Sequence, residues 1–266
     1  MMHISAFDSY RLRKSPIHRL NARIKIIITV LFILSNVLLP DGAWLAFLGS
    51  WLFILAISAF SRLGIGYAFK RSFVALPFAL VALTTLFSVP GPALVTLHLA
   101  SWQLVVTEPG LVRFLTILCR SWLSVQMAIL LVAATQFPDV LHALRHLYVP
   151  SILVSIISFM YRYLFVLSDE VLRLLRARES RSARAIGLKS PLSVAREAHQ
   201  AGNLAGQLFL RSYERSDRIY NAMQARGYYG TLFTLHPHQM EAKDWLIGAI
   251  GSVILAILQL VGHFLP

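Results

Sequence analysis

The stretch "YRYLFVLSDEVLRLLRARESRS", residues Tyr161–Ser182, decides how this chain folds. It begins apolar and ends strongly charged, with neither proline nor glycine between its two halves. This pattern is typical of one helix that starts in apolar surroundings and ends in water. The apolar run that leads into it, Ser151–Leu167, is short for a membrane span, which needs about 20 residues. Whether this run crosses the bilayer sets the topology of the chain.

The composition indicates an integral membrane protein. Of the 266 residues, 57% are hydrophobic and 14% are charged, whereas soluble domains carry about 25% charged residues. The net charge of +13 is explained by the Lys and Arg that collect in cytoplasmic loops. We expect no nucleic acid partner, because no basic face with stacking aromatic residues is present. The one cysteine, Cys119, excludes a disulfide framework and a cysteine metal cluster.

Apolar runs along the chain predict an all-α integral membrane protein with a bundle of about five transmembrane helices. Residues 94–106 are predicted to form a short hairpin or an irregular loop. Arg113 and Arg120 lie in the fourth run, and both are expected to face the bundle interior and find partners there. The predicted spans are Ile26–Leu39, Ala43–Ser61, Ser72–Val89, Leu111–Ala134 and Trp245–Leu265.

Charge predicts which segments face the cytoplasm. Residues 173–226 hold eleven Lys and Arg against four Asp and Glu, and the first 25 residues are also basic, so both segments are expected inside the cell. An even number of crossings must then separate them, and four spans satisfy this if Ser151–Leu167 does not cross. We therefore expect residues 151 to about 182 to form one long oblique helix at the cytoplasmic side.

This topology gives the chain three parts in a bacterial inner (cytoplasmic) membrane. Residues 1–150 form an N-terminal bundle of four spans, 151–232 a cytoplasmic helical domain, and 233–266 a C-terminal transmembrane helix. The N-terminus is then cytoplasmic and the C-terminus lies outside.

The long helix carries an arginine apart from its polar stripe. At 100° per residue, Arg181 lies about 20° from Leu174, at the edge of the apolar face. The polar stripe itself consists of Arg173, Arg176, Ser180 and Arg184.

A second helix, predicted roughly from Ala205 to Arg226, also ends in an arginine. Gly227 suits the position that stops a helix. Arg226 either favours the helix dipole, worth about 0.3–1 kcal/mol, or reaches the carboxylates of a partner's groove. The apolar row that it ends, at i, i+3, i+4 and i+7, is Ile219, Ala222, Met223 and Arg226.

Four stretches, in this order, resemble the transmembrane T component of energy-coupling factor (ECF) transporters, most closely the cobalt-type CbiQ family. The resemblance covers nearly the whole chain, and the last two stretches together are quite specific. It implies a scaffold rather than an enzyme, with residues 151–232 as a coupling-helix domain. The stretches are "SPIHRLNARIKI" (Ser15–Ile26), "TQFPDVLHALRHLYVP" (Thr135–Pro150), "YRYLFVLSDEVLRLLRARESRS" (Tyr161–Ser182) and "RSYERSDRIYNAMQARGYYG" (Arg211–Gly230).

In the family that the chain resembles, each of two coupling helices ends in an X-Arg-X motif, often Ala-Arg-Gly. The second motif matches here as Ala225, Arg226 and Gly227. The first matches as Ser180, Arg181 and Ser182, with Ala183, Arg184 and Ala185 as the alternative. The helical wheel favours Arg181, because Arg184 lies in the polar stripe.

The resemblance also implies partners. These are two ABC-type ATPase subunits (CbiO-like), a substrate-binding S component (CbiM-like), a small accessory membrane subunit (CbiN-like) and the lipid bilayer. ATP and Mg would be bound by the ATPases and cobalt by the S component, so this chain is expected to bind no cofactor. The chain lacks the P-loop motif of ATP-binding proteins. The same role with an S component for nickel or a vitamin is the alternative.

A stand-alone metal permease or membrane enzyme is the alternative of a different class. It would use His236, His238 and Arg120, and would need carboxylate or histidine ligands inside the spans. The Asp and Glu residues lie outside the predicted spans or at their ends. His3 could chelate Cu or Ni with the amino terminus, but it is expected in the cytoplasm. We therefore predict no metal site.

Overall fold

The structure is a computed structural model of the chain. It describes residues 10–11, 13, 15–99, 102–181, 191–230 and 240–264. Packing divides the chain into two compact units. The first, here called the bundle, comprises residues 1–147 and 237–266, and the second, the helix pair, comprises residues 148–236. The assignment of the predicted parts to membrane and cytoplasm stays a prediction.

The described part of the bundle consists of nine helices, a 3-10 turn and one hairpin. Asn21 caps α2 through its side chain, which accepts a hydrogen bond from the Arg23 amide. The helices are α1 Pro16–Arg19, α2 Ala22–Leu38, α3 Trp44–Ser61, α4 Ile65–Arg71, α5 Leu76–Ala82, α6 Thr85–Ser88, α7 Glu108–Ala134, α8 Phe137–His146 and, after the helix pair, α11 Ala242–Phe264.

The core of the bundle lies between α2, α3, α7 and α11. Phe32 and Ile54 are each 1% exposed, and Phe32 stacks on Phe53 with ring centroids 5.8 Å apart. Gly262 of α11 packs so close to α3 that an added Cβ would lie 3.0 Å from the Cβ of Ala46. Such small residues allow helices to pack closely in lipid, where burial of apolar surface gives little driving force.

Large apolar side chains also cover the outside of the bundle. On α11 they repeat every three to four residues, and each is more than half exposed. An exposed apolar stripe of this kind fits a hydrocarbon surrounding rather than water. The α11 stripe is Leu246, Ile250, Val253, Ile257 and Leu260.

The all-α membrane fold predicted from the sequence is confirmed. By length and hydropathy, α3, α7, α11 and the later helix α9 (Ser151–Arg181) could each cross a membrane. A bent pair, Gly66–Ala75 with Leu80–Ser88, gives a fifth candidate. The first predicted span is α2, whose 17 residues are at the lower end of spanning lengths. Because α9 also qualifies, its predicted oblique cytoplasmic position stays a prediction.

The third predicted span, Ser72–Val89, is not one straight helix. It divides into a 3-10 turn (Ser72–Ala75), α5 and α6, and the two halves of the candidate span meet at a 52° bend. Pro77 is the second residue of α5, where a missing amide hydrogen and a fixed φ favour the start of a helix. α5 therefore starts as a new helix after the 3-10 turn and does not continue α4.

The segment predicted as a hairpin or an irregular loop is a hairpin. Strands β1 (Ala93–Leu99) and β2 (Trp102–Thr107) pair antiparallel. The register shifts between Ala93 and Val95, which marks an irregularity near the end of the ladder.

The prediction for the two arginines of α7 is confirmed for Arg120 and wrong for Arg113. The Arg120 guanidinium forms a 3.0 Å ion pair with Asp41 and donates to the Leu39 carbonyl, which ties α7 to the α2–α3 turn. Arg113 is exposed. It lies in the first two turns of α7, from which a long side chain can extend toward a membrane surface.

Candidate functional site

Helix α9 runs without interruption from Ser151 to Arg181, which confirms the single long helix predicted for residues 151 to about 182. Nothing in these 31 residues stops a helix, since Pro150 precedes the first turn and no glycine or proline follows it. The helix changes from apolar to charged along its length, so its last turns present arginine side chains to solvent.

Helix α10 spans Pro191–Ala225, so the predicted start near Ala205 is wrong. Pro191 occupies the first helical position, where proline is favoured. Gly202 and Gly206 are inside the helix, and nothing lies within 4 Å of a Cβ added at either. Residues 195–207 hold only one large apolar side chain, Leu204, so the apolar pattern that indicates a helix is hard to recognise there.

The two helices pair antiparallel around one acidic residue. Glu170 of α9 binds Arg211 of α10 at 2.9 Å and Arg173 of its own helix at 2.6 Å. Its side chain is only 14% exposed. This role is not visible in the sequence, because Glu170 and Arg211 are 41 positions apart.

An apolar groove of about 530 Å³ lies between the first half of α9 and the second half of α10. Phe159 and Tyr163 line it from α9, and Ile219 and Met223 from α10. Tyr228, just beyond α10, contacts Phe159 edge to face with ring centroids 6.5 Å apart. The end of α10 therefore lies beside the beginning of α9.

The second predicted motif forms a complete glycine-capped helix end. Gly227 has φ of +80°, its amide donates to the Gln224 carbonyl at 2.9 Å, and the Tyr228 amide donates to the Met223 carbonyl at 3.0 Å. This pair of bonds is the Schellman motif, so the predicted stop at Gly227 is confirmed. Ala225 is the last helical residue, and Arg226 is exposed directly after it.

The first predicted motif lies at the end of α9. Arg181 is the last residue of this helix and is exposed. Arg181 and Leu174 both line a depression of about 310 Å³ between α9 and α10. This agrees with the helical wheel, which places Arg181 close to Leu174. Ser180 donates from its hydroxyl to the Ala177 carbonyl at 3.0 Å. Ser182, Ala183, Arg184 and Ala185 lie outside the described residues.

The antiparallel pairing separates the two arginines. Arg181 lies 22 residues beyond Phe159 on α9, which corresponds to about 33 Å of helix at 1.5 Å per residue. Arg226 lies at the level of Phe159, because Tyr228 contacts that ring. The helix pair therefore presents one exposed arginine at each end, on the order of 30 Å apart.

The stretch Ser15–Ile26 builds a hydrogen-bond network in the bundle. The Lys25 amine donates to the carbonyls of His18 and Ala134 at 3.3 and 3.1 Å. Burial lowers the pKa of His18, although the carbonyl of Arg11 accepts from its ring. The Asn21 amide donates to Asp244 at the start of α11. The network ties α1 and α2 to α7 and α11, which is a structural role.

The described residues contain no group of three or more His, Cys, Asp or Glu that could hold a metal ion. His142 and His146 of α8 pack with ring centroids 4.9 Å apart. Burial lowers the pKa of both. His3, His236 and His238, the histidines singled out in the sequence, lie outside the described residues.

Comparison with known proteins gives matches over most of the chain. A family model described as CbiQ, cobalt transport protein, matches residues 13–241. The uncharacterized protein MJ1571 of Methanocaldococcus jannaschii is 28% identical over 257 residues, which is 96% of this chain and 85% of that protein.

Two further relatives match over shorter ranges. The uncharacterized protein MJ1089 of the same organism is 26% identical over 163 residues, 61% of this chain and 58% of its own length. The nickel permease LarQ of Lactiplantibacillus plantarum is 33% identical over 115 residues, 42% of this chain and 38% of its own length.

Proposed function

The chain belongs to the CbiQ family of cobalt transport proteins, and we propose that it is the T component of an ECF-type importer. In this role it is a membrane scaffold without catalytic activity. It would transmit the ATP-driven motion of two ATPase subunits to a substrate-binding S component. ATP hydrolysis would belong to the ATPases, since the chain has no P-loop motif.

One observation carries this proposal: the helix pair presents two exposed arginines at its two ends, on the order of 30 Å apart. A single protein that contacts two copies of one ATPase needs two similar contact points that are well separated. Arg181 and Arg226 fit this need, because each is at the carboxyl end of its helix and is exposed. Guanidinium groups pair with carboxylates in two parallel bonds, which favours arginine at such a contact.

The construction of the pair suits mechanical coupling. The ion pair of Glu170 with Arg211 joins α9 to α10, and the aromatic contact of Phe159 with Tyr228 joins α9 to the segment just after α10. A displacement applied to either arginine would therefore move both helices. Closure of the ATPases on ATP would change the separation of the two grooves that hold the arginines, and the pair would respond as one body.

We propose cobalt as the transported ion, with nickel as the second candidate. The family description names cobalt, and the relative LarQ carries the name nickel permease. The ion would be bound by the S component (CbiM-like), with a small accessory subunit (CbiN-like), so either ion, or a vitamin, is compatible with this chain. Uptake of each metal by cells with and without the chain separates these cases.

A stand-alone metal permease predicts that this chain transports metal in the absence of partners. It would need ligands along a path through the bundle, and the described residues include no metal-binding group of three or more His, Cys, Asp or Glu. Metal uptake into vesicles that contain only this chain would support the permease, whereas uptake that requires the ATPases supports the T component.

The proposal is tested by affinity purification of the chain from its native membrane. We expect two ATPase copies and a small polytopic membrane protein to accompany it. Arg226→Glu and Arg181→Glu should each reduce ATPase recovery at least tenfold, since breaking a buried charge pair costs ~2–5 kcal/mol. Arg218→Glu and Arg176→Glu are the matched controls, because both are exposed on the same helices. Full ATPase recovery with Arg226→Glu would refute the assignment.

A further inference from the structure

A polar cavity of about 750 Å³ opens in the bundle where two apolar helices end. Arg62 directly follows α3, and Lys243 is the second residue of α11. Both helices are long and apolar enough to cross a membrane. The cavity therefore lies at the level where a bilayer changes from hydrocarbon to headgroups.

Three cations line this cavity: Arg19, Arg62 and Lys243. All three are exposed, and none makes a side-chain hydrogen bond or ion pair with another residue in the described part of the chain. Two carboxylates, Glu241 and Asp244, also line the cavity. The Asp244 carboxylate is 8% exposed and accepts from the amides of Asn21 and Glu241, whereas Glu241 is exposed. The three cations outnumber the two carboxylates, so the cavity keeps a net positive charge that can attract an anion.

Arg62 is held in an unusual backbone conformation. Its φ is +53°, and its amide donates to the Ala59 carbonyl at 3.1 Å to end α3. This left-handed position normally favours glycine or asparagine. An arginine at such a backbone position beside a cavity is consistent with a role in binding.

The surroundings of the cavity favour a lipid over a free anion. Ile247 lines the cavity and is 40% exposed. Ile250 and Ile254 continue its row along α11 and are 52% and 37% exposed. This apolar row leads from the cations toward the middle of a spanning helix, where acyl chains lie. A phospholipid can place its phosphate beside the cations and its acyl chains along this apolar row.

We propose that this cavity binds the phosphate headgroup of an anionic phospholipid from the surrounding bilayer, with Arg19, Arg62 and Lys243 as the phosphate ligands. Arginine and lysine are the residues that bind phosphate, and basic clusters at the ends of membrane helices bind anionic headgroups. The acyl chains lie along Ile247, Ile250 and Ile254. The site is independent of the ATPase contacts proposed for Arg181 and Arg226.

The test measures retention of phosphatidylglycerol and phosphatidylcholine by the purified full-length chain in detergent, by native mass spectrometry. The cavity variant is Arg19→Gln, Arg62→Asn and Lys243→Gln, with asparagine chosen because it tolerates a left-handed backbone. We expect phosphatidylglycerol to bind about 100-fold more weakly, because each basic residue near an anionic surface contributes about a fivefold factor. Binding of phosphatidylcholine should not change.

The matched control removes three positive charges elsewhere, through Arg176→Gln, Arg178→Gln and Arg218→Gln. An equal loss of phosphatidylglycerol binding in this control would overturn the proposal. Unchanged phosphatidylglycerol binding in the cavity variant would also overturn it. Displacement of the lipid by millimolar inorganic phosphate would show that a free anion is the ligand and would also overturn it. If the cavity variant loses its thermal unfolding transition, Arg62→Asn alone provides the test, with an expected loss of about fivefold.

Discussion

Arg226 is exposed because of the glycine that follows it. The positive φ of Gly227 turns the chain back on α10, and the last carbonyls of the helix accept from Gly227 and Tyr228. The two interpretations left open by the sequence are therefore compatible. The glycine cap ends the helix, and this end leaves Arg226 exposed, as the proposed contact with a partner requires.

Gly227→Ala should weaken the proposed ATPase contact. An L side chain in the left-handed region costs about 1–2 kcal/mol, so the last turn of α10 should fray and Arg226 should lose its fixed position. Titration of the ATPase against the purified chain should show several-fold weaker binding. Gly206→Ala is the control, because its added Cβ meets nothing within 4 Å. Equal binding by both variants would contradict this role of the cap.

Arg120 and Asp41 should be energetically coupled. Arg120→Met and Asp41→Asn should each lower the thermal stability of the detergent-purified chain, and Arg120→Met more so because it also loses its bond to the Leu39 carbonyl. The loss of unfolding free energy in the double variant should be smaller, by about 1 kcal/mol, than the sum of the losses in the two single variants, as expected for a partly exposed ion pair. Strict additivity would show that the pair contributes nothing.

Some secondary-structure elements could be predicted from the sequence and others could not, because they depend on different sequence signals. Helix α9 was predicted because no residue in it stops a helix. The start of α10 was not predicted, because residues 195–207 hold two glycines and only one large apolar side chain, Leu204, which obscures the helical pattern. The bend in residues 66–88 was missed because hydropathy reports apolar content and not direction.

Glu170→Gln should loosen the helix pair. Glu170 is the acceptor for both Arg173 and Arg211, and a neutral amide weakens both interactions. Hydrogen exchange should become faster in the middle of α9 and α10, by up to about fivefold for a loss of ~1 kcal/mol. Glu214→Gln, an exposed change on α10, should leave exchange unchanged. Identical exchange in the two variants would contradict the bridging role of Glu170.

For the whole molecule, the sequence predicts an odd number of crossings, with the N-terminus inside and the C-terminus outside. A phosphatase fused after residue 266 should then be active, and a green fluorescent protein at the same place should be dark. The reverse result would show that α9 crosses the membrane or that one of the other spans does not.

The separation of the two arginines is a property of the whole helix pair, and the sequence could not predict it. Each arginine was identified from its own motif and its place on the helical wheel. Their position at opposite ends follows from the antiparallel pairing, which depends on contacts between distant residues such as Glu170 with Arg211 and Phe159 with Tyr228. The identity of the partners depends on other chains and stays a proposal.

Site-directed crosslinking tests the central claim most directly. In a Cys119→Ser background, which removes the one native cysteine, Ser180→Cys and Ala225→Cys are introduced singly and together. Both positions are exposed and leave Arg181 and Arg226 in place. Native membranes that hold these variants are treated with a short thiol-to-amine crosslinker. We predict one ATPase adduct for each single variant and an adduct with two ATPase copies for the double variant. The absence of ATPase adducts at both positions, with Ser180→Cys and Ala225→Cys still in the membrane, would contradict the account.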